Sequence, residues 1–142
     1  MSELKVGIVG CGKIAEFHAK ALLKIPGCKL VAACNRTEGK LAKFTERYHI
    51  RGYLSASEMI RSEHLDAVTI CTPHPSHARV TIECLNERCH VLVEKRYPHH
   101  GAVAFGHYGK LLFDLFRYLG VQDIGFNQPA GMMYPTENPF VK

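Results

Sequence analysis

The chain has 142 residues, the length of one ordinary domain, and its 46% hydrophobic and 22% charged residues are typical of a soluble globular protein. The net charge of +5 is modest and the lysines and arginines are scattered, which argues against a nucleic-acid-binding protein. No apolar run approaches the ~20 residues of a membrane span, and the first residues lack the layout of a secretory signal, so we expect a cytoplasmic protein without a membrane partner.

Apolar runs rich in β-branched residues alternate with stretches of helical period along the chain. Such alternation predicts an α/β fold, a Rossmann-like doubly wound parallel sheet with helices on both faces. The predicted strands are residues 5–9, 30–34, 67–71, 90–93 and 121–126, with a short extended piece near Tyr53. The predicted helices are residues 14–25, a segment containing Leu41, Phe44 and Tyr48, a short helix opening at Ser55, residues 76–87 and residues 101–119.

Two glycines follow the first predicted strand and immediately precede the first helix. In a dinucleotide site, a first glycine permits the sharp turn, a second lets backbone approach a pyrophosphate, and a small third residue lets helix and strand pack closely. Gly10, Gly12 and Ala15 fit these roles, and the helix that begins at Lys13 and Ile14 would offer its free amides to the anion. The alternative is a plain tight turn.

The residue that selects between dinucleotides is expected at the end of the second strand. That position is Asn35, 23 residues after Gly12, where an Asp or Glu would favour NAD by binding the ribose 2′-OH. Asn35 carries no charge, whereas Arg36 could pair with a 2′-phosphate and Thr37 could donate a hydrogen bond to it. We therefore predict NADP as cofactor, with NAD as the alternative; the competing interpretation of Arg36 is a solvated loop residue.

Polar residues also follow the third and fourth strong strands, at the edge where open parallel sheets bind their ligands. The first group is Cys71, Thr72, Pro73 and His74, with His77 beyond it, and the second is Glu94 and Lys95. We predict both groups as part of the cofactor site.

The nine histidines and six cysteines do not predict a metal site. His74-x-x-His77 and the pair His99-His100 lack a cysteine pair or a carboxylate at ligand spacing. The cysteines lack a Cys-x-x-Cys pair and fall mostly in apolar segments, which is typical of reduced, buried thiols.

Three stretches in this order, VGIVGCGKIA, TPHPSH and VLVEK, resemble the N-terminal domain of the Gfo/Idh/MocA family, which includes glucose-fructose oxidoreductase and inositol dehydrogenase. The resemblance runs from about Val6 to Asn127. It implies a Rossmann domain that binds a nicotinamide dinucleotide, and hydride transfer between the nicotinamide and a carbinol carbon of a sugar or polyol.

The resemblance also implies roles for individual residues. It places Thr72, Pro73 and His77 beside the nicotinamide half of the cofactor, and Glu94 and Lys95 at the reacting centre. Lys95 would be the catalytic residue, hydrogen-bonded to the substrate hydroxyl and moving its proton. The alternative for Lys95 is a surface lysine.

Two departures from the family pattern affect the expected activity. Arg96 stands where the family has a proline after the lysine, and the family's second domain, about 200 further residues that bind substrate and mediate oligomerisation, would begin where this sequence stops. We predict residues 1–126 as the NAD(P)-binding domain and residues 127–142 as the start of that second domain or an irregular tail. The alternatives to an oxidoreductase are a truncated, non-catalytic dinucleotide-binding module and an oligomerisation partner of a full-length relative, and a homo-oligomer stays open.

Overall fold

The computed structural model describes residues 3–94, 101–105 and 123–126. Its strands are β1 (Leu4–Val9), β2 (Cys28–Cys34), β3 (Arg51–Tyr53), β4 (Ala67–Ile70), β5 (His90–Glu94), β6 (Gly101–Phe105) and β7 (Asp123–Phe126). Its helices are α1 (Lys13–Leu22), α2 (Glu38–Tyr48), α3 (Ala56–Glu63) and α4 (His77–Asn86), and a short 3-10 turn (His74–Ser76) precedes α4.

The seven described strands form one sheet in the order β3-β2-β1-β4-β5-β6-β7. The five strands from β3 to β5 run parallel, as predicted. The chain moves outward from β1 in one direction through β2 and β3, and in the other through β4 and β5. The strand order therefore reverses beside β1, and a crevice opens there at the carboxyl ends of the strands.

Helices cover both faces of the sheet, which confirms the predicted doubly wound fold. On one face, α1 and α2 bury apolar side chains such as Leu22 and Phe44 against Val6 and Ile8 of β1. On the other face, α3 and α4 pack residues such as Met59 and Cys84 against β4 and β5. Because successive strand residues point to opposite faces, one parallel sheet supports two separate cores.

The prediction of a helix from Gly101 to Leu119 is wrong at its start. Residues 101–105 instead form β6, which pairs antiparallel with β5 and in parallel with β7. The helical period came mainly from apolar residues after 107, whereas GAVAF alone suits a strand that satisfies the outer edge of β5. Residues 106–119 lie outside the described residues, and the predicted strand at 121–126 is confirmed for Asp123–Phe126.

Helix ends explain where the elements around the crevice begin and stop. Ser55 caps α3 as predicted, since its Oγ accepts a hydrogen bond from the Glu58 amide at 3.3 Å. At the carboxyl end of α4, the amide of Cys89 donates to the carbonyl of Cys84 at 3.3 Å, and the amide of Arg88 donates to the carbonyl of Leu85 at 2.9 Å. This pattern is a Schellman motif, and it holds Arg88 in the left-handed region with φ of 57°.

Replacing Arg88 by glycine is expected to stabilise the protein by about 0.5 to 1 kcal/mol, because glycine adopts a positive φ without the steric penalty of a Cβ. Denaturant unfolding of the two proteins measures the difference. Arg88→Ala is the control, since it removes the same long side chain but keeps the Cβ. An equal gain in both variants would show that the arginine side chain, and not its backbone conformation, is unfavourable.

The partly buried carboxylate of Glu16 connects helices α1 and α2. Glu16 on α1 accepts hydrogen bonds from Tyr48 and from Arg47, the latter with an Nη1 to Oε1 distance of 2.6 Å. Burial alone would raise the pKa of Glu16, but these hydrogen bonds outweigh it and hold the pKa below its ordinary value of 4.5. The contact fixes α1, whose amino end faces the crevice.

A lowered carboxyl pKa stabilises the folded state above the unfolded-state pKa, and this contribution is lost as the pH falls through the folded-state pKa. Glu16→Gln is therefore expected to cost about 1 kcal/mol at pH 7, with a difference that shrinks below about pH 4. Denaturant unfolding from pH 3 to pH 7 measures it. A constant difference across this range would contradict the account.

Candidate dinucleotide-binding site

A cleft of about 630 Å³ opens at the carboxyl ends of β1, β2 and β4, where the strand order reverses. This volume is in the range of pockets that hold cofactors and small molecules. Ten of the predicted site residues line it: Gly10, Gly12, Lys13, Ile14, Asn35, Arg36, Thr37, Cys71, Thr72 and Pro73. Residues from three separate predicted groups therefore come together in one place.

Gly10 is the residue that lets the chain turn out of β1. Its φ is +95°, and a Cβ there would lie 2.8 Å from the backbone of Cys71 and Thr72. Its amide also donates to the carbonyl of Cys34 at 2.8 Å. Gly10 thus allows the ends of three strands to approach each other, and only glycine fits.

Gly12 has the opposite surroundings. A Cβ on it would meet no atom of residues 3–94, 101–105 or 123–126 within 4 Å, and its extended backbone precedes α1 without a side-chain cap on the helix. The first amides of α1 consequently face the open cleft, where an anion can satisfy them. Ala15, one turn further, is fully buried, as the close packing of helix on sheet requires.

Three cysteine side chains lie around the turn. Cys11, Cys34 and Cys71 all line the cleft. Burial raises the pKa of Cys11 to about 12 and that of Cys34 to about 11, so both are neutral at pH 7. All six cysteines are free, and four of them are buried.

Asn35 connects the glycine turn to the turn after β2. Its side-chain oxygen accepts a hydrogen bond from the Cys11 amide at 3.2 Å, and its Nδ2 donates to the carbonyl of Thr37 at 3.1 Å. Both ends of the side chain are therefore used inside the protein. Asn35 lies at the predicted position and forms part of the cleft wall. Unlike an Asp or Glu at this position, it brings no negative charge to the cleft.

Cationic side chains face the cleft beside Asn35. Arg36 and Thr37 are exposed there, and Lys40 joins them from the first turn of α2. Among the described residues, no ion pair includes Arg36 or Lys40. The sequence interpretation missed Lys40, although its position one helical turn after Thr37 was a usable signal.

The loop after β4 is held by its own side chains. Ser76 Oγ donates to Thr72 Oγ1 at 2.8 Å and to the carbonyl of Pro73 at 2.7 Å. His77 Nε2 lies 2.7 Å from the Thr72 carbonyl, so this nitrogen carries the proton. His74 packs edge-on against His77, with 5.1 Å between ring centroids. Neither histidine is among the residues that line the cleft; they support Thr72 and Pro73, which are.

Helix α4 supplies a further part of the cleft that the sequence interpretation did not identify. Arg79, Val80 and Glu83 line it, and Glu83 also reaches the start of α3, where Ser57 donates to Oε1 from its amide at 3.3 Å and from Oγ at 3.0 Å. Arg79 Nη1 lies 3.5 Å from Glu83 Oε2. The remaining lining residues that were not predicted include Leu54, Ser55, Ala56 and Ser76.

Some predicted features lie outside the described part of the chain. Glu94 ends β5, and only its backbone is described; Lys95, Arg96 and the His99-His100 pair fall between residues 95 and 100. Among the described residues, no group of three or more metal-ligating side chains is close enough to hold a metal ion. The helices within residues 3–94 are all too short or too polar to cross a membrane.

Comparison with protein families matches residues 4–96 to the Gfo/Idh/MocA oxidoreductase family model, which describes an NAD-binding Rossmann fold. The inositol 2-dehydrogenase of Rubrobacter xylanophilus is 34% identical over 93 residues, 65% of this chain and 27% of that protein. The chain spans only about 27 to 30% of the length of the curated relatives it matches.

Solved structures of related oxidoreductases share this fold. Myo-inositol 2-dehydrogenase from Lactobacillus plantarum superimposes with a TM-score of 0.62 and 27% identity, over 90% of this chain and 36% of that one. Biliverdin reductase from Synechocystis, in complex with biliverdin and NADP+, superimposes with a TM-score of 0.59 and 25% identity, over 87% of this chain and 37% of that one. From the family match over more than half of its length and from its fold, the chain belongs to the Gfo/Idh/MocA oxidoreductase family.

Proposed function

We propose that the chain binds NADP(H) in the cleft and forms the cofactor half of an oxidoreductase that acts on a sugar or polyol, with NAD as the weaker ligand. The observation that carries this proposal is the open space in front of Gly12, beside the uncapped amino end of α1. A diphosphate fits there because the helix amides and the Lys13 ammonium are free to meet its charge.

The other end of the cleft supports the preference for NADP. A ribose 2′-phosphate would lie beside the end of β2, near Arg36, Thr37 and Lys40. Arg36 and Lys40 have no carboxylate partner within the described part of the chain and so favour a phosphate. Asn35 stands where a carboxylate would select the NAD ribose.

The reacting end of the cofactor is placed by the loop after β4 in this proposal. Thr72 and Pro73 would face the nicotinamide, with His77 holding the Thr72 carbonyl in position. The bound nicotinamide supplies hydride chemistry. Lys95, which follows the last residue of β5, is the proposed proton-transferring group at the substrate hydroxyl, and Glu94 would lie next to it.

The proposed substrate class comes from relatives. Several are inositol 2-dehydrogenases, whose names specify oxidation of a ring polyol. A carbinol carbon bearing a hydroxyl is the chemical feature that such a reaction requires, since one hydride leaves the carbon and one proton leaves the oxygen.

Calorimetric titration with NADPH and NADH, followed by turnover assays with a panel of sugars and polyols, tests the proposal. We expect binding of both dinucleotides, with NADPH tighter, and reduction of NADP+ by at least one polyol. Binding without any turnover would support the non-catalytic module instead. No binding of either dinucleotide would contradict both.

A further inference from the structure

Helix α4 contributes an ion pair, Arg79–Glu83, to the cleft. The two residues are one helical turn apart and both line the cleft, with Val80 buried between them. Helix α4 packs on the opposite face of the sheet from α2, so Arg79 and the Arg36–Lys40 group approach the cleft from different sides.

Glu83 is satisfied without Arg79. Its Oε1 accepts two hydrogen bonds from Ser57, and one of these comes from a first-turn amide of α3, where the helix dipole also favours a negative charge. Among the residues that the structure describes, its second oxygen, Oε2, has one partner, Arg79 at 3.5 Å. Loss of Arg79 would therefore leave the carboxylate with two hydrogen bonds and a favourable potential.

Arg79 is held loosely in comparison. Its side chain is 67% exposed, and the 3.5 Å separation from Glu83 is longer than a charge-assisted hydrogen bond. An exposed ion pair of this kind contributes little, so the guanidinium can turn to a more highly charged partner at small cost. A phosphate monoester dianion is such a partner, because its oxygens match the two parallel donors of arginine.

The charges along the cleft fit a ligand that carries a second anionic group besides a diphosphate. Among the described residues, the cleft is lined by four cations and one carboxylate: Lys13, Arg36, Lys40, Arg79 and Glu83. Lys13 lies at the amino end of α1, beside the proposed diphosphate position. The three other cations are then available to a second anionic group, and the Glu83 carboxylate keeps its hydrogen bonds from Ser57.

We propose that Arg79 is a specificity-determining residue that leaves Glu83 to bind the 2′-phosphate of NADP(H). This inference rests on the proposed function. Arg36 and Lys40 would hold the phosphate from the side of α2, and Arg79 would close on it from α4. Glu83 is a weak competing partner of Arg79 before the dinucleotide arrives, and it remains on Ser57 afterwards.

The experiment is calorimetric titration of NADPH and NADH into the unmodified chain and into Arg79→Gln, Glu83→Gln and Arg61→Gln. Arg61 is a matched control, because it is a similarly exposed arginine in an ion pair, with Glu87 at 2.6 Å, but does not line the cleft. We expect Arg79→Gln to weaken NADPH binding about tenfold and to change NADH binding less than about twofold. Arg61→Gln should change neither, and Glu83→Gln should tighten NADPH binding a few-fold, because Arg79 then has no competing carboxylate to leave.

Each alternative outcome identifies what is wrong. An equal effect of Arg79→Gln on both dinucleotides, or an effect on NADPH no larger than that of Arg61→Gln, would overturn the inference alone. If Glu83→Gln weakened NADPH binding as much as Arg79→Gln, Glu83 would be required in the bound state. That result would overturn the proposal that Arg79 leaves Glu83 for the phosphate. If the unmodified chain bound neither dinucleotide, the proposed function would fail, and this inference with it. Arg79→Lys, which keeps the charge, gives an intermediate loss if the arginine geometry matters, and circular dichroism checks that each variant is folded.

Discussion

Replacing Gly12 by valine is expected to abolish dinucleotide binding while leaving the fold intact. The valine Cβ would meet no atom of the described residues within 4 Å, and the extended backbone of Gly12, with φ of −91° and ψ of −169°, is open to any L-residue. The side chain would instead fill the space that the diphosphate needs. We expect NADPH affinity to fall at least about a hundredfold, measured by calorimetry, with a loss of stability below about 1 kcal/mol.

The control is Gly39→Val. Gly39 lies in the first turn of α2, at the start of a helix as Gly12 does, and its Cβ would likewise meet no atom of the described residues within 4 Å, but it does not line the cleft. It should bind NADPH like the unmodified chain. Undiminished binding in Gly12→Val would contradict the placement of the diphosphate; equal losses in both variants would indicate a general effect of valine at a helix start.

Replacing Gly10 by alanine is expected to damage the fold itself. The new methyl group would lie 2.8 Å from backbone atoms of Cys71 and Thr72, which cannot move aside as a flexible side chain could, and φ at Gly10 is +95°. Backbone strain and overpacking together predict a loss of about 4 kcal/mol. Since a domain of this size is stabilised by only about 5–15 kcal/mol, thermal or denaturant unfolding should show a large decrease.

Gly27→Ala separates the two causes. Gly27 also has a positive φ, of +81°, but its Cβ would meet nothing within 4 Å. We expect a loss of about 1 kcal/mol there, from backbone strain alone. Similar losses at both positions would mean that the contact between Gly10 and the end of β4 is unimportant.

The sequence predicted most of the fold because its pattern was local. A buried strand such as β1 is recognisable from its run of apolar residues. The start of α3 is recognisable from Ser55 and Glu58, which have the spacing of a helix cap. The exception was β6, where helical periodicity further along the chain was extended back over Gly101–Phe105. Its pairing with β5 is a long-range contact that no local pattern contains.

The site was predictable where the residues follow strands directly. Gly10, Asn35 and Thr72 lie at the carboxyl ends of β1, β2 and β4, and the strand order brings those ends together. The role of Asn35 in binding the Cys11 amide could not be predicted, because it depends on a contact between residues 24 positions apart. Arg79 and Glu83 were missed because an i, i+4 pair of opposite charge is usually a solvated helix face.

The central claim is that the amide groups at the amino end of α1 bind the diphosphate of a nicotinamide dinucleotide. A titration of the ¹⁵N-labelled chain with NADPH, followed by amide chemical shifts, tests it most directly. We predict the largest changes at Gly12, Lys13 and Ile14, saturating together with changes at Arg36 and Thr37. Saturation of the protein with NADPH without a shift of the Gly12, Lys13 and Ile14 amides would contradict the claim.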